Sequence, residues 1–234
     1  MQSVLSVIYS GHFSGMAATR IRSLDGLRAI AIVLVMLHHS PAMKAYFGAP
    51  RYGWVGVDLF FVLSGYLITG ILVEAKGGPN YYRNFYARRA LRIWPLYFAV
   101  LIAITVVMPR VVHSEHLNVG LPPWYYFLLL QNLFFTRALL PFLSPTWSLA
   151  VEEQFYLIWP FVISLISRTS LVRLCVFGLM ASPFIRLGVL AAGGSGDINY
   201  GFTFSHMDGL LIGALVALTP SQRIESPRAR TAAI

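Results

Sequence analysis

Two ionisable side chains, Arg28 and His39, lie in a largely apolar run that reads LDGLRAIAIVLVMLHHS. They lie eleven residues apart, which on an α-helix returns to nearly the same face about three turns and roughly 16 Å further along. Titratable groups are costly in hydrocarbon and usually mark a functional site there. The spacing therefore predicts an imidazole held at membrane depth above a fixed cation. His38 points about 100° away from His39, so we expect only one of the two to face a given cavity.

Carboxylates interrupt two other apolar stretches. Asp58 lies at the start of one, where it is either stabilised by the helix macrodipole or orients a histidine or an arginine. Glu152 and Glu153 are adjacent in the second, and two neighbouring acids cannot both face lipid cheaply. At least one should therefore face the interior and pair with a cation or a histidine, unless it makes a purely structural ion pair. His206 and Asp208 precede the last apolar run, where Asp208 could simply cap a helix.

A basic run, FYARRALRIWP, follows the second apolar stretch. Arg88 and Arg92 lie four residues apart on one helix face, and Arg89 lies three residues before Arg92. The positive charges on such a face repel one another unless an anion binds between them. The planar donor fork of arginine suits phosphate. The run is therefore either a clamp for a phosphorylated cofactor or a topology anchor that contacts lipid phosphates.

The composition indicates a membrane protein. Of the 234 residues, 57% are hydrophobic and only 12% are charged, whereas a soluble domain carries about 25% charged residues. The formal net charge of +9 does not favour nucleic-acid binding, because the basic residues lie in short loops between apolar blocks. We therefore predict an all-α fold, a polytopic transmembrane helical bundle with the lipid bilayer as its partner.

Apolar runs of suitable length predict about seven spanning or re-entrant segments. These segments cover approximately residues 24–41, 56–73, 91–108, 124–136, 146–167, 171–192 and 207–218. Pro95, Pro160 and Pro183 lie within three of them and should kink or break the helices. The predicted organisation is an N-terminal tail at 1–20, a transmembrane domain at 21–219 and a polar, basic tail at 220–234.

The basic residues also predict orientation. Arg20, Arg22 and Arg28 precede the first segment or lie at its start. Four further arginines lie between the second and third segments or at the start of the third: Arg83, Arg88, Arg89 and Arg92. If the second segment spans fully, both groups lie on one side of the membrane, which the positive-inside rule makes cytoplasmic. The N-terminus is therefore expected in the cytoplasm.

Five motifs, in order, resemble the membrane-bound acyltransferase-3 family of bacteria. They are LDGLRAIAIVLVMLHH, GVDLFFVLSGYLI, FYARRALRIWPLY, PTWSLAVEEQFYLIWP and MDGLLIGAL. The family O-acylates sugars of surface polysaccharides, so the resemblance implies a multi-pass enzyme of the bacterial inner membrane with a carbohydrate or glycolipid acceptor. Members have further helices after the last motif, and the chain is expected to be C-terminally shortened. Family members usually have arginine where this chain has His206, which leaves its role open.

The resemblance also implies the site. His39 would be the general base that deprotonates the acceptor hydroxyl, while Glu152 or Asp58 fixes the tautomer of its imidazole. Arg28, Arg88 and Arg92 would hold the phosphates of acyl-coenzyme A, with acetyl-CoA as the expected co-substrate, and no metal is expected. A covalent route, in which His39 is itself acylated, stays open.

Two rival functions fit parts of the same pattern. A solute or proton-coupled transporter also has broken helices and buried ionisable groups, although no paired half-repeats are visible in this sequence. The other rival is an inactive fragment of the acyltransferase. The identities of the acceptor and of the acyl group, as well as the oligomeric state, are not determined by the sequence.

Overall fold

A computed structural model describes residues 22–40, 53–111, 121–134 and 143–219. Within these ranges the chain is helical and contains no β-strand, as the sequence predicted. The helices are α1 Arg22–His39, α2 Gly53–Ala75, α3 Tyr81–Ile102, α4 Met108–Val111, α5 Pro123–Phe127, α6 Thr146–Leu165, α7 Arg168–Ala191, α8 Gly196–Gly201, α9 Thr203–His206 and α10 Asp208–Leu218. A π-helical turn, Ala103–Val107, joins α3 to α4, and a 3-10 turn, Gln131–Phe134, follows α5. The predicted tails, 1–20 and 220–234, lie outside the described residues.

Three helical stretches are long and apolar enough to cross a membrane: Trp54–Ala75, Tyr81–Val111 and Arg168–Ala191. The most apolar windows of the second and third are only 11% buried within the protein, which leaves large apolar side chains on their surfaces. Exposed apolar faces of this length are what a lipid-facing helix requires. The chain is therefore a membrane protein.

The predicted count of about seven segments is not confirmed. The stretch 124–136 is not one helix in its described part, because Leu129 adopts a left-handed backbone (φ 55°) between α5 and the 3-10 turn. Helix α10 has 11 residues, whereas about 20 are needed to span a bilayer. Apolar length alone thus does not distinguish full spans from shorter segments.

The predicted breaks at proline are not confirmed either. Pro95, Pro160 and Pro183 lie inside α3, α6 and α7, and each helix continues past its proline. Beside Pro160, two phenols of α3 donate hydrogen bonds to carbonyl oxygens of α6: Tyr86 to Leu157 at 2.7 Å and Tyr81 to Pro160 at 3.2 Å. These bonds join α3 to α6 beside the proline.

The closest helix contact lies between α2 and α10. A Cβ on Gly65 would lie 2.0 Å from the Leu210 carbonyl oxygen, and one on Gly213 would lie 2.0 Å from the Val62 carbonyl oxygen. Both contacts involve backbone atoms, which no side-chain rotation can relieve. Small residues at such positions let transmembrane helices approach to backbone contact. The α2–α10 pair is therefore held in one register, and α6 and α7 pack around it in the main apolar core.

Cations close the helix ends on the side where α2 finishes. Lys76 donates from Nζ to the Ile166 carbonyl oxygen at 2.7 Å, just beyond α6. Arg168 donates from Nε and Nη2 to the Leu218 carbonyl oxygen at 3.1 and 2.9 Å, on the last residue of α10. Terminal carbonyls have no partner within their own helix and carry the negative end of the macrodipole. These contacts satisfy them and join α2, α6, α7 and α10 at one end.

Replacing Gly65 by leucine should destabilise the protein, because its new side chain must push the α10 backbone away. Overpacking of this kind costs about 1–3 kcal/mol, seen as a lower apparent melting temperature in detergent. The matched control is Gly70→Leu on the same helix, where a Cβ would meet nothing within 4 Å in the described part of the chain. Equal melting temperatures for the two variants would contradict the backbone contact.

Candidate functional site

His39 is the last residue of α1 and its side chain is exposed. Its Nδ1 lies 2.9 Å from the carbonyl oxygen of Val35, one turn earlier in the same helix. A carbonyl can only accept, so Nδ1 carries the hydrogen of this bond. In the neutral ring that tautomer leaves the lone pair on Nε2. The helix backbone therefore orients the imidazole with a proton-accepting nitrogen facing away from its own helix.

Arg28 shares α1 with His39, as the spacing predicted, but the two belong to different contacts. Its guanidinium is partly exposed and lies 4.0 Å from the Asp25 carboxylate, three residues earlier. This separation is at the limit of an ion pair and contributes little at an exposed site. The structure thus places Arg28 on the first half of α1, roughly 16 Å along the axis from His39.

The most buried charges lie where α2, α3 and α6 meet. Glu152 on α6 is 4% exposed, and its carboxyl lies beside the Ser64 hydroxyl of α2. Arg89 on α3 attracts both Glu152 and Glu153 electrostatically, and its guanidinium carbon lies 3.7 Å above the centre of the Tyr156 ring. One acid of the pair therefore faces inward, as the sequence argument requires, and Arg89 is a cation within electrostatic range of both.

Four buried polar atoms in this cluster make no hydrogen bond within the described residues: Arg89 Nε, Glu152 Oε1, Glu153 Oε1 and Tyr156 Oη. The other oxygen of Glu153 accepts from the Trp94 indole at 3.2 Å. A buried donor or acceptor without a partner costs about 1–3 kcal/mol. Native structures retain such groups where water, an ion or a substrate completes them. The cluster therefore contains both hydrogen-bond donors and hydrogen-bond acceptors that are unused.

Arg89 is the functional candidate that sequence analysis passed over. Arg88 and Arg92 were singled out as a same-face pair, and both are exposed on α3. Arg89 lies about 100° from Arg88 and turns toward α6. A signal was available, because Phe85 lies four residues before Arg89, on the same helix face, and is buried. That pattern marks the buried face of α3.

Asp58 contacts a histidine, but the histidine is His206. The Asp58 Oδ1 lies 3.0 Å from His206 Nε2 across the α2–α10 contact. Helix α2 begins at Gly53 and has no acid in its first turn, so Asp58 lies deeper than a macrodipole-stabilised position. Of the roles considered for Asp58, the structure shows one, orientation of a histidine, on a ring 148 residues away.

Three aromatic rings enclose His206. Phe61, Trp147 and Tyr200 meet it edge-on, with ring centres 5.5, 5.4 and 4.9 Å away. The His206 side chain is 10% exposed and that of Asp58 is 41% exposed. Burial, and next the Asp58 carboxylate, raises the pKa of the Tyr200 phenol to about 12, so Tyr200 remains a protonated donor at neutral pH. The pair is thus closed on its imidazole side and open on its carboxylate side.

His39 and Asp58 lie near the same end of the bundle. A Cβ on Gly56 would lie within 3.1 Å of atoms of Ala31, Leu34 and Val35. The second half of α1 therefore packs beside the first turns of α2, and His39 follows Val35 by one turn, or about 6 Å. Glu152 lies deeper, at the level of Ser64, about 9 Å along α2 from Asp58.

Comparison with known proteins decides the family. A family model described as "Acyltransferase domain" matches residues 21–233. The chain belongs to the acyltransferase-3 family. It is similar to the O-acetyltransferase OatA of Staphylococcus aureus, with 32% identity over 219 residues, 83% of this chain and 34% of that protein. It is also similar to the peptidoglycan O-acetyltransferase OatA of Listeria monocytogenes, with 37% identity over 150 residues, 59% of this chain and 23% of that protein.

The acyltransferase-3 chain thus spans about a third or less of the length of these relatives. No solved structure matches it significantly. The match to an acyltransferase domain does not favour the transporter alternative. Within the described residues no group of three or more histidine, cysteine, aspartate or glutamate side chains could hold a metal, and the expectation of a metal-free site stays a prediction.

Removing the Arg89 charge should destabilise the protein, because Glu152 and Glu153 then share a buried site without a cation. Breaking a buried ion cluster in this way costs about 3–5 kcal/mol, so Arg89→Met should lower the apparent melting temperature strongly. Adding Glu152→Gln should restore part of the loss.

Arg92→Met is the matched control, since Arg92 is exposed on the same helix and surface substitutions change stability by about 0.5 kcal/mol or less. If Arg92→Met destabilises as much as Arg89→Met, or Glu152→Gln deepens the loss, Arg89 does not neutralise the acids.

Proposed function

We propose that this chain is the acyltransferase part of an integral membrane O-acyltransferase, which transfers an acetyl group from acyl-coenzyme A to a hydroxyl of a carbohydrate-containing acceptor. The observation that carries the proposal is the bond from His39 Nδ1 to the Val35 carbonyl. It leaves Nε2 as a proton acceptor on an exposed ring, in a family whose relatives are named as O-acetyltransferases.

His39 acts as the general base in this proposal. Nε2 takes the proton of the acceptor hydroxyl as the oxygen attacks the thioester carbonyl. The C–O bond of the ester forms, the C–S bond breaks, and the imidazolium returns the proton to the sulfur, so that coenzyme A leaves as the thiol. Val35 holds the tautomer, a role that sequence analysis gave to Glu152 or Asp58.

The donor is held by arginines. Arg88 and Arg92 are exposed and lie one turn apart on α3, and the planar donor fork of arginine suits phosphate. We assign to them the phosphates of acyl-coenzyme A, with Arg28 on α1 as a further cation. This assignment requires the basic end of the bundle to face the cytoplasm, with the N-terminus on that side of the bacterial inner membrane.

Glu152 and Arg89 complete the donor site. Glu152 Oε1 and Arg89 Nε are buried without hydrogen-bond partners, and an acyl donor carries amide and carbonyl groups that can pair with both. Filling these groups on binding would lower the energy of the complex relative to the empty site. Glu152 therefore acts in the site by positioning the donor rather than by touching His39.

The acceptor is proposed from the relatives. Their names assign O-acetylation to them and, for the Listeria protein, peptidoglycan as the acceptor. A β-1,4-linked amino sugar is accordingly the first acceptor class to test. A covalent route through acyl-His39 uses the same groups, and accumulation of acyl-protein with donor alone would distinguish it from direct transfer.

Replacing His39 by glutamine should lower the rate of acyl transfer about 10²–10⁴-fold, the usual contribution of a general base. The measurement is coenzyme A thiol release by purified membranes supplied with acetyl-coenzyme A and a soluble peptidoglycan fragment. His38→Gln is the matched control, because the adjacent ring lies 5.1 Å away, centre to centre, and points elsewhere.

Thiol release that survives His39→Gln would contradict the role of His39. Movement of the fragment across the membrane without thioester cleavage would support the transporter alternative instead.

A further inference from the structure

The Asp58–His206 pair is built so that its carboxylate, not its imidazole, meets a ligand. His206 is enclosed by three aromatic rings, and its side chain is 10% exposed, against 41% for Asp58. His206 Nε2 lies 3.0 Å from Oδ1, and for the neutral ring it is the donor of that bond. The carboxylate keeps further acceptor capacity on its exposed side, since each ionised oxygen accepts about two hydrogen bonds.

The segment that carries His206 is fixed from several helices. Arg186 Nε and Ser182 Oγ of α7 both donate to the Ser205 carbonyl oxygen, at 2.8 and 3.0 Å. Asn132 of the 3-10 turn donates to Thr203 Oγ1 at 2.8 Å. Arg186 also pairs with Asp208, 2.5 Å away, two residues after His206. The imidazole therefore has a set position, and the Asp58 carboxylate is held against it.

Tyr200 extends the same surface. Its ring packs 4.9 Å from His206 and 4.7 Å from Trp147, centre to centre. It is half-buried, and its phenol lies close enough to Asp58 to feel the charge of the carboxylate. A carboxyl acceptor thus lies within electrostatic range of an O–H donor, with indole and phenol rings beside them. Vicinal hydroxyls of a sugar ring offer the complementary donor and acceptor, and aromatic faces pack well against its C–H groups.

We propose that Asp58 and Tyr200 form a binding subsite for hydroxyls of the carbohydrate acceptor, with His206 as the residue that positions Asp58. The subsite rests on the proposed function for its role in acetyl transfer, but saccharide binding is measurable without transfer. It lies near the His39 end of the bundle, as an acceptor subsite must. His206 acts only through Asp58, so it is a positioning residue rather than a catalytic one.

The test is binding of the β-1,4-linked tetramer of N-acetylglucosamine to the purified full chain in detergent, measured by calorimetry. Asp58→Asn should raise the Kd about tenfold, equivalent to about 1.4 kcal/mol. His206→Ala should raise it several-fold, whereas His206→Gln, whose amide can still donate to Oδ1, should stay within about twofold. Tyr200→Phe, which removes one hydroxyl, should also weaken binding. These fold-changes follow from one lost charge-assisted or neutral hydrogen bond.

The double variant Asp58→Asn/His206→Ala should bind no more weakly than Asp58→Asn alone, because a residue that acts through another loses its effect when that partner is gone. Glu74→Gln, the same kind of charge change at an exposed position near the other end of α2, is the matched control and should leave the Kd unchanged. Melting temperatures separate misfolding from lost binding.

The inference is overturned if the tetramer does not bind the unsubstituted chain, if Asp58→Asn leaves the Kd unchanged, or if the two losses add. Binding that depends on Asp58 with no thioester cleavage would contradict the proposed function alone. Cleavage that depends on His39 with binding indifferent to Asp58 would contradict this inference alone.

Discussion

The arrangement of polar groups depends on one contact, the backbone approach of α2 and α10. At Gly65 and Gly213 the two helices come so close that a methyl group would overlap a carbonyl oxygen of the partner helix. This approach fixes the register of α10 on α2, and with it the position of His206 opposite Asp58. It also keeps Ser64 next to Glu152, because α6 packs against the same helix. Small residues thus set the depth at which the ionisable ones meet.

Buried charge supports the proposal that the Arg89–Glu152 cluster is a binding site rather than a structural support. One arginine, Arg89, faces two acids, and four polar atoms around it lack partners within the described residues. A cluster selected for stability would be fully paired or replaced by apolar side chains, since buried ion pairs rarely stabilise more than their hydrophobic substitutes. Incomplete pairing near the middle of the bundle is instead what a substrate can complete. In the proposed function, the Arg89–Glu152 cluster serves the acyl donor and the Asp58–His206 pair serves the acceptor.

Much of this could be predicted from the sequence. Apolar length and composition predicted a helical membrane protein, and the cost of burying two acids predicted that at least one of Glu152 and Glu153 would face inward. The spacing of Arg28 and His39 placed both on one helix. These predictions succeed because they depend on local pattern and on the energetics of ions in hydrocarbon.

The features that the sequence could not show have a common cause in tertiary contacts. The helical period places Arg88 and Arg89 on different faces of α3. The period alone does not tell which of these faces meets α6. Asp58 was expected to orient a histidine, yet its partner is 148 residues away, and only the α2–α10 register reveals it. From the sequence, a carboxylate was expected to fix the tautomer of His39. In the structure, His39 Nδ1 contacts the Val35 carbonyl oxygen one turn earlier, and a backbone contact of this kind cannot be recognised from residue types.

The central claim is that these helices transfer an acyl group to a sugar hydroxyl. The most direct measurement supplies proteoliposomes containing the chain with isotopically labelled acetyl-coenzyme A and the N-acetylglucosamine tetramer, followed by mass spectrometry of the saccharide. The account predicts a labelled, alkali-labile acetyl ester on the tetramer. Label found only in free acetate, or an unmodified tetramer that crosses the membrane, would contradict it.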